Sequence, residues 1–239
     1  MIVLFLRKIK HFLFTSRLAL QRKYRILVGK PVIHVFGDSH SLLFEKDLFI
    51  IHHIGPATAF KLNSDTSTTQ SKKKIDNVLR EFDRTKPHMF LFIFGEIDCR
   101  LHINKASKSA RISLEKVIWN TVTAYGNFLK EIKDKYPQST FIVLNVLPPG
   151  EQKNIYQVKH YASRQTQLAI RKQFNKTLRE FCNKNNMIFL SLFNELLDDK
   201  DKRLKQYVFD NIHYNNKILP LMTKDLETII SDSSLKRQQ

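Results

Sequence analysis

Ser39 sits on the turn Gly37-Asp38-Ser39-His40, directly after the apolar run Pro31–Phe36. Near the other end of the chain, Asp210 and His213 stand three residues apart. A serine hydroxyl attacks a carbonyl only when a base takes its proton. An imidazole is the usual base, and a carboxylate holds that ring in the productive tautomer. These three residue types supply nucleophilic acyl chemistry if folding joins the two ends of the chain. Two plainer readings stand beside it. Gly-Asp-Ser-His is also an ordinary polar turn, and Asp210 and His213 also suit the cap of a helix beginning near Asn215.

The elements that must do the joining are legible as strand and helix signals. Pro31–Phe36 predicts strand one, Leu48–His53 strand two, Met89–Phe94 strand three, Thr140–Val146 strand four and Met187–Leu190 strand five. The continuous run MFLFIF predicts a central parallel strand buried on both faces. Helices are expected from residue 40 to 46, over 73–84 and 112–135, within 160–185, and from Asn215 to about Ile230. Residues 61–72, rich in Ser, Thr, Asp and Lys, read as a loop. Strands alternating with helices imply a parallel sheet covered on both sides. Ligands of such sheets bind at the carboxyl ends of the strands. Gly37–Ser39, Gly55, Gly95–Asp98 and Asn145–Pro149 all follow predicted strands, so they should meet at one edge.

These residues resemble the blocks of the SGNH/GDSL hydrolase superfamily. Gly37-Asp38-Ser39-His40 is similar to the first block and Ile54-Gly55-Pro56 to the second. Gly95-Glu96-Ile97-Asp98 falls where the third belongs, and Asp210-x-x-His213 is similar to the fifth. The blocks run in family order over residues 36–213. The resemblance implies a three-layer α/β/α, flavodoxin-like fold with a five-stranded parallel sheet, and ester hydrolysis. It implies Ser39 as nucleophile, His213 as base and Asp210 as the orienting acid. The backbone N–H groups of Ser39 and Gly55 would form the oxyanion hole. Asp38, Glu96 and Asp98 would brace the site, with Asp98 structural and Glu96 paired to Arg100. One departure stands out. The third block's asparagine donates to the oxyanion, and here that position is Ile97, which has no donor. The variant Gly-Glu-Ile-Asp-Cys-Arg occurs within the superfamily, and Arg100 or Asn145 is expected to take over. The implied substrate is an acyl or acetyl ester of a sugar or polysaccharide. Transfer of the acyl group to a glycan hydroxyl and a non-catalytic glycan- or partner-binding role are the alternatives.

Composition bounds the rest. The chain has 239 residues, enough for one α/β domain, expected over 31–232 between a basic apolar arm (1–30) and a polar tail (233–239). Its net charge is +18, and no acidic residue precedes Asp38. Basic residues of the arm alternate with Ile2–Leu6, Phe12–Phe14 and Leu18–Leu20, runs too short to span a bilayer. The arm suits contact with an anionic membrane surface or a partner, or else is a solvated arm whose apolar residues pack on the domain. No nucleic-acid motif accompanies the charge, so nucleic acid is not an expected partner. Two cysteines, Cys99 and Cys182, make no disulfide framework and point to a reducing compartment or to indifference to redox; the expected location is cytoplasmic, with the arm allowing a place at a membrane surface. No phosphate-binding glycine loop or nucleotide fingerprint is present, so no cofactor is expected. No metal is expected either: His52 and His53 are adjacent on a strand and point to opposite faces.

Overall fold

The structure is a computed structural model that describes residues 20–21, 23–150 and 162–235. Five parallel strands form one sheet: β1 (Ile33–Gly37), β2 (Phe49–His53), β3 (Met89–Ile93), β4 (Thr140–Leu144) and β5 (Ile188–Leu190). Their order is β2-β1-β3-β4-β5, the flavodoxin-like winding. Beyond the helical residues 20–21 and 23–27, the α-helices among the described residues are α1 (Ser71–Leu79), α2 (Ile103–Ala110), α3 (Leu114–Lys135), α4 (Arg164–Lys184) and α5 (Leu219–Leu235).

The period-two pleat sorts the apolar runs between two cores. Phe36, Phe90, Phe92, Phe141 and Val143 face one side, where they pack on Ile75 of α1, Val122 and Phe128 of α3, and Phe174 of α4. Val35, Met89, Leu91, Ile93, Ile142 and Leu144 face the other, against Leu43, Phe44, Tyr214 and Met222. Three layers result, as the sequence predicts. The second core is where the ends of the chain meet, since it holds both the Ser39 turn and α5.

Several boundaries differ from expectation. Segment 40–46 is a 3-10 turn, Ser39–Phe44, capped by the Asp38 carboxylate. Strand β4 stops at Leu144, because the next residue, Asn145, turns its side chain inward to bond backbone. Helix α1 ends at Leu79, whose carbonyl accepts the buried Tyr136 hydroxyl. Helix α2 was not expected: INKASKSA carries too few apolar residues to show a period. The last helix runs to Leu235, so the tail expected from 233 starts inside it. Residues 1–19 of the arm lie outside the described residues, whereas Leu20, Tyr24, Ile26 and Leu27 are exposed. No helix among the described residues is long and apolar enough to cross a membrane.

Candidate active site

The sheet register places the predicted residues. Gly37 pairs with His53 of β2 and with Ile93 of β3. The segments after these strands, bearing Ser39, Gly55 and Gly95, therefore emerge side by side. Gly37 is a glycine for a steric reason: a Cβ there would lie 2.9 Å from the Ile93 carbonyl oxygen and 3.0 Å from Ser41 Cβ. Gly55 is one for a conformational reason, its φ of +89°.

The Ser39 turn is heavily pinned. The Asp38 carbonyl accepts from Ser41 N (3.0 Å), Ser41 Oγ (2.7 Å) and His53 Nδ1 (3.1 Å). Asp38 Oδ1 accepts His40 N at 2.9 Å and faces His40 Nδ1 at 3.2 Å. His52 turns the other way, to His34 Nδ1 at 3.1 Å, so the two adjacent histidines do point to opposite faces.

His213 arrives from the far end of the chain. Its Nε2 lies 2.9 Å from Ser39 Oγ and its Nδ1 lies 2.8 Å from Asp210 Oδ2. The second carboxylate oxygen, Oδ1, accepts the backbone N–H groups of Ile212 (2.7 Å) and His213 (2.6 Å). Asp210 is thus both cap and ring partner, and the two readings of the sequence coincide. Partial burial pushes its pKa up, but these N–H groups and the imidazole outweigh that and bring it down to about 2. It remains a carboxylate at any working pH.

The supporting carboxylates sit as expected. Asp98 is buried and accepts Ala59 N at 2.7 Å and Phe60 N at 3.2 Å, which braces the loop after Gly55. Burial raises its pKa to about 6 against the pull of those donors. Glu96 binds Arg100 Nε at 2.8 Å and Arg171 Nη2 at 2.9 Å.

Two expected oxyanion donors are corrected. Asn145 is wholly buried, with Nδ2 donating to the Val146 carbonyl (2.9 Å) and Oδ1 accepting Leu192 N (2.8 Å). It ties β4 to the segment after β5 and does not reach the cleft. Arg100 is tethered by its own helical neighbour Glu96, with Nε bonded to both carboxylate oxygens at 2.8 and 3.1 Å. Ile97 lines a separate cavity of ≈ 450 Å³ beside Pro56, Thr58 and Phe60.

His40 is the residue the sequence reading passed over. Its ring is buried, 5.2 Å from the His213 ring between centroids. Burial pulls its pKa down, but the Asp38 hydrogen bond and the charges of Asp38 and Glu96 overcome this. The nearby Ile212 backbone adds to the upward pull, so His40 sits between the Ser39 turn and the His213 segment. Only its place next to Ser39 hinted at this.

Ser39, Asp210 and His213 share a cleft of ≈ 560 Å³. Leu42, Leu43 and Phe209 give it an apolar wall, and Glu45, Asn215 and Asn216 a polar one. Neither the Ser39 nor the Gly55 N–H carries a hydrogen bond among the described residues. No cluster of three or more His, Cys, Asp or Glu suited to a metal occurs among those residues. Cys99 is buried, which holds its thiol protonated.

No family model matches the chain, and no curated protein does. Solved structures do. A Bacteroides fragilis protein described as a candidate acylhydrolase superposes with a TM-score of 0.57 at 13% identity, over 85% of this chain and 88% of that one. A Streptococcus pneumonia protein described as a candidate platelet activating factor gives 0.55 at 17% identity, over 95% and 99%. A GDSL-like lipase from Bacteroides thetaiotaomicron gives 0.51 at 14% identity, over 84% and 88%. At such identities the likeness is one of fold.

Proposed function

With the fold of GDSL-like lipases and acylhydrolases as premise, we propose that this protein is a serine ester hydrolase. The observation that carries the reading is the unbroken chain of contacts from Ser39 Oγ through both ring nitrogens of His213 to Asp210, at 2.9 and 2.8 Å. In this account His213 takes the Ser39 proton as Oγ attacks the ester carbonyl. Asp210, ionised throughout, stabilises the imidazolium. The free N–H groups of Ser39 and Gly55 receive the oxyanion, each worth about 3–4 kcal/mol to the transition state. His213 returns the proton to the leaving alcohol. Water, activated by the same ring, then releases the acid from Ser39.

The substrate we propose is a short acyl ester of a sugar or polysaccharide. Leu42, Leu43 and Phe209 suit an acyl group, and Glu45, Asn215 and Asn216 suit alcohol hydroxyls. Hydrolysis of p-nitrophenyl acetate and of an acetylated oligosaccharide tests the two levels separately. Activity on both is expected. Activity on the aryl ester alone would leave the esterase and remove the sugar. Acyl transfer would show as an acylated glycan when a sugar acceptor is added. No activity on either ester would contradict the proposal.

A further inference from the structure

Ile97 stands where the third block's asparagine would donate, and Arg100 and Asn145 are both bonded elsewhere. A cation stands beside one of the two backbone donors, that of Gly55. Lys74, exposed on the first turn of α1, donates from Nζ to the Ile54 carbonyl oxygen at 3.1 Å. That carbonyl and the Gly55 N–H are the two ends of one peptide unit, and in a trans peptide they point in opposite directions. The Ile54 N–H is bonded in turn to the Gly37 carbonyl at 2.9 Å. The Ile54–Gly55 peptide is therefore tied at its oxygen by Lys74, the peptide before it is tied to β1, and the Gly55 N–H stays free among the described residues.

We propose that Lys74 is a positioning residue for ester hydrolysis: its ammonium, bonded to the Ile54 oxygen, orients and polarises the peptide whose Gly55 N–H receives the oxyanion. The inference rests on the serine-hydrolase reading. Its physics is simple. A cation on a carbonyl oxygen draws electron density through the amide and leaves the N–H a stronger donor, as in any polarised hydrogen-bond chain. Gly55, at a φ of +89°, has no Cβ to restrict rotation of this peptide, and Lys74 is the side chain bonded to its oxygen among the described residues. The gain is realised only when negative charge develops, so it belongs to the transition state and not to substrate binding.

The test is steady-state hydrolysis of p-nitrophenyl acetate by the full chain, with Lys74→Ala, Lys74→Gln and Lys74→Arg. Polarisation of one donor predicts a fall in kcat of roughly three- to tenfold for the alanine variant, with KM within about twofold. Arginine should restore most of the rate, since it brings a cation to the same oxygen. Glutamine should restore the orientation without the charge and fall between. The side chain is exposed, so the melting temperature should hold, and the glutamine variant serves if alanine unfolds. An unchanged kcat in the alanine variant would overturn the proposal, as would a rise in KM alone. A wild-type chain inert towards every ester would sink the hydrolase reading first, a distinct result.

Discussion

Ser39 and His213 are hydrogen-bonded neighbours, yet the segments that carry them differ in how deeply they are buried. The Ser39 turn is part of the core: Asp38 and His40 are 2% and 4% exposed, and Ser41 and Phe44 are fully buried. The His213 segment lies outside, with side-chain exposure of 31% for His213 and 46% for Asp210. It is fastened at points, by Tyr214 Oη to the Pro148 carbonyl (3.1 Å) and by Arg203 to the Asp210 carbonyl (3.0 Å). Ser39 is set by a buried turn, whereas His213 and Asp210 stay exposed and depend on a few contacts at their flanks. Damage to the first should therefore appear as lost stability, and damage to the second as lost rate.

The sharpest break of that contrast is Asp210→Ala. Loss of the orienting acid in such a triad costs on the order of 10⁴ in kcat. The residue is largely exposed, so the melting temperature should hardly move. A large drop in melting temperature, with kcat retained, would reverse the assignment. Gly37→Ala probes the other region. Its methyl would press on Ile93 O and Ser41 Cβ, and overpacking of this kind costs about 1–3 kcal/mol. Chemical denaturation should show that loss, while the protein that remains folded keeps most of its kcat.

The smallest effect concerns pH. Burial, with the nearby His52 and His88, lowers the His34 pKa to about 3, and burial lowers that of His52 to about 4. The unfolded chain thus binds more protons than the folded one below the ordinary histidine pKa. Stability should fall as pH drops from about 6.5 towards 3. His40 has the opposite sign: its raised pKa contributes stability that is complete below about 6.5 and is lost as pH rises through the folded value. Melting temperature against pH for His34→Phe should show a flatter acid limb and an unchanged alkaline one. A parallel profile would mean these rings do not titrate on unfolding.

Much of this site was legible because its residues follow strands. The run MFLFIF could only be a central strand, and a glycine or polar turn after each strand marks the sheet's functional edge. Asp210 and His213 were readable because their pairing is local. What escaped the sequence was contact at long range. Arg171 meets Glu96 across 75 positions and Lys74 meets Ile54 across 20. Lys74 is one of 40 cationic side chains, and no spacing distinguishes it. Asn145 misled for a related reason: the end of β4 is at the right edge, but packing turned the side chain inward.

The central claim is that Ser39 is activated by a base carried on a distant segment. Labelling with a fluorophosphonate probe and peptide mass mapping tests it most directly, with Ser39→Ala and His213→Ala as comparisons. The account predicts a stoichiometric adduct on Ser39 that disappears in both variants. A folded wild-type protein that takes no adduct, or an adduct that survives His213→Ala at the same rate, would contradict it.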